Sequence, residues 1–328
     1  MTIAAAAAMA ACSSNKIEDG ALTSGINLNN LDTTYQAGID FYMYATGGWQ
    51  KANPLGPEYA RFGSFDMLRE ANVERLNDLF KEMTTLKTEK GSVEQKIADL
   101  YKMALDSTRL NAEGAEPIKQ YLDAIYAVSD KDGLVKLVAD LHNSGESPFF
   151  GSYVEADMMD SDSQILYLGQ SGLGIGNRDY YVDAQNAELK AGYLKFLTKV
   201  FGLAGVASPE TAAANALAVE DVIALHSWSS VQERDVEAQY NPMTTAELVA
   251  KYPGFDFATY FAQRGIPAQD KLIVAELSYF EAFAKYFATA DLAALKDYVA
   301  GQFIAGACGT ISDDFTEASF DFFSRQMS

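Results

Sequence analysis

The sequence predicts a mainly α-helical fold with one small antiparallel β-hairpin, and three observations carry that expectation. Apolar side chains recur every three to four residues through most of the chain, the spacing that lines one face of a helix. One stretch near residues 148–170 instead pairs short apolar runs around a polar turn. Hydrophobic residues form 48% of the 328, which supplies core for one large domain or two ordinary ones.

The elements run in order along the chain. Residues 65–83 place Phe65, Leu68, Val73, Leu76 and Phe80 near one helix face, and 93–106 repeat the pattern with Val93, Ile97, Leu100 and Ala104. Further helices are expected over 115–128, 133–143, 187–203 and 211–230. The hairpin carries Phe149 and Tyr153 on one strand and Ile165 and Tyr167 on the other, with Asp160-Ser161-Asp162 as its turn. Asp157, Asp160 and Asp162 miss the spacing of a calcium loop, so they are expected as a solvated turn. Gly172, Gly174 and Gly176 then make a turn, and their spacing is not the GxGxxG of a dinucleotide site. Asn177 and Asp179 are expected to cap the next turn of the chain. Thr244 or Thr245 caps a short helix with Glu247 in its first turn. A long helix is expected from about 269 to 287, and a last one over 291–305.

Acidic residues outnumber basic ones 45 to 25. A net charge of −20 with no basic stripe repels phosphate backbones, which argues against nucleic acid as a partner. The opening run MTIAAAAAMAAC is short, apolar and small, and ends in cysteine before Ser13 and Ser14. It reads as the remnant of a lipoprotein-type signal with Cys12 as the lipidation site. Its short apolar region and missing Lys or Arg fit a start placed several residues late. Residues 13–38 read as a linker or extended arm. With Cys12 modified, Cys308 alone remains, so the mature chain has no internal disulfide.

Little in the chain announces catalysis. A zinc peptidase of the HExxH type needs two histidines on one helix face and a glutamate to polarise water. The only histidines are His142 and His226, far apart and outside that motif. There is no GxSxG elbow. Forty-five acids give no positional signal for a paired-carboxylate site. Arg61, Asp66 and Arg69 stand out instead. Asp66 and Arg69 share a helix face, Arg61 lies just before the helix, and an arginine fork can clamp a carbonyl or carboxylate. A salt-bridged helix start explains the same residues.

The order of several short motifs resembles the neprilysin and endothelin-converting enzyme family of zinc metalloendopeptidases. They are Asp40-Phe41-Tyr42, Gly47-Gly48-Trp49, Arg61-Phe62-Gly63-Ser64-Phe65-Asp66 with Leu68-Arg69, and LYKMALD at 100–106. Gln170, Gly172-Leu173-Gly174, Arg178-Asp179-Tyr180-Tyr181, Arg234-Asp235, Tyr240-Asn241-Pro242-Met243-Thr244 and the segment 313–327 continue the match. The resemblance implies that Arg61, Asp66 and Arg69 line the pocket for a substrate residue on the leaving-group side. It also implies that DFYMYATGGW builds a tight packed turn. By this comparison 39–240 is the helical part of the first, catalytic lobe without its metal site, and 241–328 is an incomplete second helical lobe. The complete family enzyme uses zinc, and this chain carries no cofactor of its own. Its expected partners are short peptides and, if the enzyme is split, a separate C-terminal catalytic half.

The expectation is therefore the substrate-cavity portion of a peptide-cutting enzyme, inactive alone, as a truncated product or one half of a split enzyme. The alternative is a non-catalytic peptide-binding or structural protein. A bacterial periplasm or cell envelope is the expected location, with membrane contact only through the lipid anchor.

Overall fold

The computed structural model describes residues 25–57 and 59–327. The signal-type run, Cys12 and the start of the expected linker lie outside the described residues. The chain divides into two compact units, 1–98 and 99–328.

In the first unit α1 runs Phe41–Ala52 and α2 Ser64–Met83. The expected tight turn at DFYMYATGGW is instead the body of α1. Its glycines serve close packing, not a bend: a Cβ on Gly47 would sit 2.7 Å from Cβ of Asp32, and one on Gly48 would overlap the Asn29 carbonyl. A helix made of Phe, Tyr and Gly is intrinsically poor. What holds it is the docked segment 28–34. Asp32 donates its amide to the Tyr44 carbonyl at 2.8 Å, and its carboxylate takes Lys51 at 2.6 Å. Lys51, then Thr34, hold that carboxyl down to about 2. The helix α2 has no buried residue, and its apolar stripe is open, Phe65 being 86% exposed and Leu68 63%.

A helix, α3 (Val93–Ala104), passes through the division. It stops before 106 because Asp106 caps a separate helix, α4 (Ser107–Glu113), by accepting from the Arg109 amide at 3.0 Å. Then come α5 (Glu116–Ala127) and α6 (Lys131–Asn143). The hairpin is β1 (Phe150–Asp157) with β2 (Asp160–Gln170), antiparallel as expected. Its turn lies at Met158-Met159, however, and Asp160 to Ser163 already belong to β2. Nor is Asp157 solvated. It is 3% exposed, ion-paired to Lys271 and bonded by the Tyr240 hydroxyl at 2.9 Å.

Beyond the glycine turn lie α7 (Asp179–Val182), α8 (Ala187–Leu203), α9 (Pro209–His226) and α10 (Val236–Gln239). Asn177 accepts from the Asp179 amide at 2.8 Å in a turn that leads into α7. Arg178, however, stands at the N-cap without a side-chain capping bond and Asp179 is the first residue of the helix, so neither expected residue occupies the cap. A two-residue β3 (Pro242–Met243) precedes α11 (Thr245–Lys251). There Thr244 and Glu247 form a reciprocal capping box. After α12 (Phe257–Arg264), the expected long helix from 269 splits into β4 (Leu272–Val274) and α13 (Leu277–Thr289). The chain continues as α14 (Leu292–Ala307) and α15 (Asp313–Phe323).

The hairpin therefore grows into a four-stranded sheet of order β1-β2-β4-β3, with β2 and β4 parallel and β3 antiparallel to β4. The fold stays predominantly helical. The core of the second unit is unusually aromatic, with Phe149, Phe150, Phe255, Phe257, Tyr260 and Phe283 all nearly inaccessible. Phe150 meets Phe255 edge-on at 5.5 Å, a geometry that adds to burial alone. Phe149 takes a left-handed backbone, φ 68°, unfavourable for a residue with a Cβ. The Tyr298 hydroxyl accepts its amide at 3.0 Å and the Tyr279 hydroxyl donates to its carbonyl.

Candidate substrate pocket

The first unit holds a hollow of about 590 Å³ between α1 and the loop that enters α2. Tyr42, Thr46, Trp49, Asn53, Arg61 and Ser64 line it. Local chemistry fixes each wall. Asp40 caps α1 by accepting from the Met43 amide at 2.9 Å, which sets the axis along which Tyr42, Thr46 and Trp49 fall. Asn53 ends the helix by donating its side-chain amide to the Trp49 carbonyl at 2.9 Å. The Trp49 and Phe62 rings stack with centroids 6.4 Å apart, and Tyr59 packs on Phe62 at 5.0 Å. With Phe62 held so, its neighbour Arg61 is carried to the wall of the hollow.

The structure separates the three residues singled out in the sequence. Asp66 and Arg69 pair at 3.3 Å, one turn apart on α2. Asp66 also accepts the Gly63 amide at 2.9 Å, so it caps the helix as well as bracing Arg69. Arg61 forms no ion pair with any described residue; it is exposed and lines the cavity, where Arg69 does not. A planar fork of donors at the edge of an aromatic and polar hollow can hold a carboxylate or a polarised carbonyl. Trp49 was visible only as part of a motif. Its use as a wall depends on Phe62, and no spacing rule relates those two positions.

Neither histidine suits a metal. His142 is 8% exposed, with Nδ1 2.7 Å from the Tyr260 hydroxyl and Nε2 3.0 Å from the Pro148 carbonyl. Arg264 donates to that same Tyr260 oxygen at 2.8 Å. The chain of donors thus runs Arg264 to Tyr260 to His142 Nδ1, and the Nε2 proton goes to Pro148. Burial, against the Pro148 bond, pushes the imidazole down to about 4, so the ring is neutral and both nitrogens are used. His226 is exposed in the last turn of α9. Among the described residues no group of three or more His, Cys, Asp or Glu side chains could hold a metal ion.

Residues 37–328 match the profile of peptidase family M13 across its N-terminal region. The chain belongs to peptidase family M13. It is 28% identical to human endothelin-converting enzyme 1 over 317 residues, which is 92% of this chain and 40% of that protein. Rabbit neprilysin is 27% identical over 242 residues, 67% of this chain and 32% of that protein. Among solved structures, the Mycobacterium tuberculosis zinc metalloprotease ZMP1 in complex with inhibitor superposes with a TM-score of 0.86 at 25% identity. The match covers 94% of this chain and 48% of ZMP1. PEPO from Lactobacillus shares the fold, with a TM-score of 0.71. The chain thus spans less than half the length of these M13 relatives. Its own described residues do not fit the zinc that ZMP1 is named for.

Proposed function

We propose that this chain is the substrate-cavity portion of a neprilysin-like zinc metalloendopeptidase that hydrolyses short peptides, and that it is inactive by itself. Arg61, unpaired among the described residues at the wall of the α1–α2 hollow, carries this reading. It holds a carbonyl or terminal carboxylate of the substrate. Arg69 lies outside the walls of the hollow and is held by Asp66, which also caps the first turn of α2, so its expected substrate contact awaits the assembled enzyme. Water activation at a metal falls to a complementary catalytic half, in the same polypeptide or in another. That half covers the open apolar stripe of α2, since an apolar patch of this kind marks an interaction surface and the M13 relatives carry as much chain again. The cell envelope of a bacterium is the proposed location, with Cys12 as lipid anchor. Two of the solved relatives come from bacteria.

The test joins residues 25–328 to the HExxH-bearing half of a bacterial M13 relative and follows cleavage of a fluorogenic short peptide. The joined protein cleaves and chelator stops it, while the chain alone, free of host peptidases, does not. Chelator-sensitive turnover by the chain alone overturns the reading. Binding without cleavage in the joined protein points to a peptide-binding protein. Mass spectrometry of the mature terminus decides the anchor.

A further inference from the structure

The second unit contains another hollow, of about 420 Å³, where the end of β2 and the glycine turn face the segment after α9. Gln170, Gly172, Asn177, Arg178, Trp228 and Glu233 are among its walls. The hollow is built, and its walls are pinned from outside. Gln170 and Trp228 bond reciprocally, the Trp228 amide donating to Oε1 at 2.6 Å and Nε2 donating to the Trp228 carbonyl at 3.2 Å. The indole Nε1 donates to Ser278 at 2.8 Å, which fixes the ring. On the other wall Tyr298 donates to the Gly172 carbonyl at 2.8 Å. Gly172 and Gly176 have φ of +90° and +81°, and a Cβ on Gly172 would overlap the Tyr298 hydroxyl. The turn therefore cannot fold inward to fill the space.

Two opposite charges face this space without meeting. Arg178 donates Nε to the Ala224 carbonyl at 3.3 Å and forms a loose ion pair through Nη1 with Asp179 at 3.8 Å, too long for a hydrogen bond. Its outer N–H groups therefore have no hydrogen-bond partner among the described residues, and a ligand carboxylate would share the charge with Asp179. Glu233 accepts from Gln170 Nε2, and no described cation lies within ion-pair distance of it. A second carboxylate, Glu276, stands behind Glu233. It accepts the Gln170 amide at 2.8 Å, and burial, then the charge of Glu233, pushes it upward. A cation between them would relieve that repulsion.

We infer that this hollow binds a small zwitterion, a free α-amino acid or dipeptide, with its carboxylate on Arg178, its ammonium on Glu233 and its side chain against Trp228. A guanidinium fork matches a carboxylate in bidentate fashion, and a carboxylate matches an ammonium. The ligand is neutral overall, so the charge of −20 on the chain does not exclude it. The volume is at the small end of ligand pockets, which fits one or two residues and not a longer peptide. The site is formed by residues of the second unit alone, and its assignment does not depend on the peptidase reading.

The experiment is calorimetric titration of the full chain with L-leucyl-L-leucine, its N-acetyl form, its C-terminal amide and the doubly blocked form. Saturable binding of the free dipeptide is expected, weakened about 10-fold or more by each block. Arg178→Lys and Glu233→Gln should each weaken the free dipeptide by about the same factor with an unchanged circular dichroism melt. No saturable heat at millimolar dipeptide overturns the assignment. So does equal binding of the doubly blocked form, or variants that fold and bind as the parent does. The blocking series needs no substitution, so the result stands even if a variant misfolds.

Discussion

The amide of Gly174 donates to the carboxylate of Glu220 at 3.2 Å, tying the glycine turn to the middle of α9. Tyr181, Tyr193 and Gln302 donate to the same carboxylate, the last two at 2.9 and 2.7 Å. Glu220 is 1% exposed. Burial raises its carboxyl to about 7 against the pull of these donors.

That shift sets a pH dependence. The native state keeps the proton up to about 7, while an unfolded glutamate releases it near its ordinary 4.5. Between those values the native state binds more protons, so stability falls as pH rises, by about 3 kcal/mol across the window. In urea unfolding from pH 4.5 to 8, the stability of Glu220→Gln relative to the parent should rise with pH by about this amount. A variant that keeps the slope would place its origin elsewhere.

His142 works in the opposite sense. Its native pKa of about 4 lies below the ordinary 6.5, so the unfolded chain binds more protons between them. Stability from this residue is complete above 6.5 and lost as pH falls through 4, again by about 3 kcal/mol. From 4.5 to 6.5 the two slopes oppose each other. Replacing His142 by Asn should expose the Glu220 slope in that range, read by the same urea titrations.

The glycine turn should tolerate little. A Cβ on Gly174 would overlap the Tyr193 hydroxyl, and Gly172 also needs its positive φ. Gly174→Ala should cost about 2 kcal/mol or more, because the obstructing phenol is fully buried and bonded to Glu220. Calorimetric melting measures it, with Gly205→Ala as a comparison site where the added Cβ meets open space but the positive φ remains.

In the joined peptidase, Arg61→Lys should weaken peptide processing by about 1 to 3 kcal/mol, roughly 5- to 150-fold, with unchanged melting. The charge remains and the fork is lost. Asp66→Ala should instead cost about 1 kcal/mol of stability, since it removes the cap at Gly63 and the Arg69 partner together. A lysine variant that unfolds would make Arg61 a structural brace.

Long periodic helices were legible because each carries one apolar face, buried in α8 and α6 and open in α2: α8 has the predicted bounds, and α2 and α6 nearly so. The sheet was only half legible. Strand β4 is three fully buried residues, and such a run carries no alternation to distinguish it from helix. The α1 helix was hidden because its glycines are chosen for the approach of Asp32 and Asn29, a tertiary demand that defeats local propensity. Arg61 could be singled out by type and place, but its lack of a partner could not. Glu220 gave no signal at all, since its donors lie 27, 39, 46 and 82 residues away in the chain.

The parallel pairing of β2 with β4 has a consequence for synthesis. Tyr167 and Leu168 leave the ribosome about a hundred residues before Ile273 and Val274, their partners. At roughly 5–20 residues per second the inner edge of the hairpin waits on the order of 5–20 s, a bare apolar strand in a nascent chain. Its other neighbours cannot shield it, since β3 reaches the sheet only through β4. Yield should therefore respond to translation speed and to holding chaperones more sharply than the stability of the finished protein would suggest.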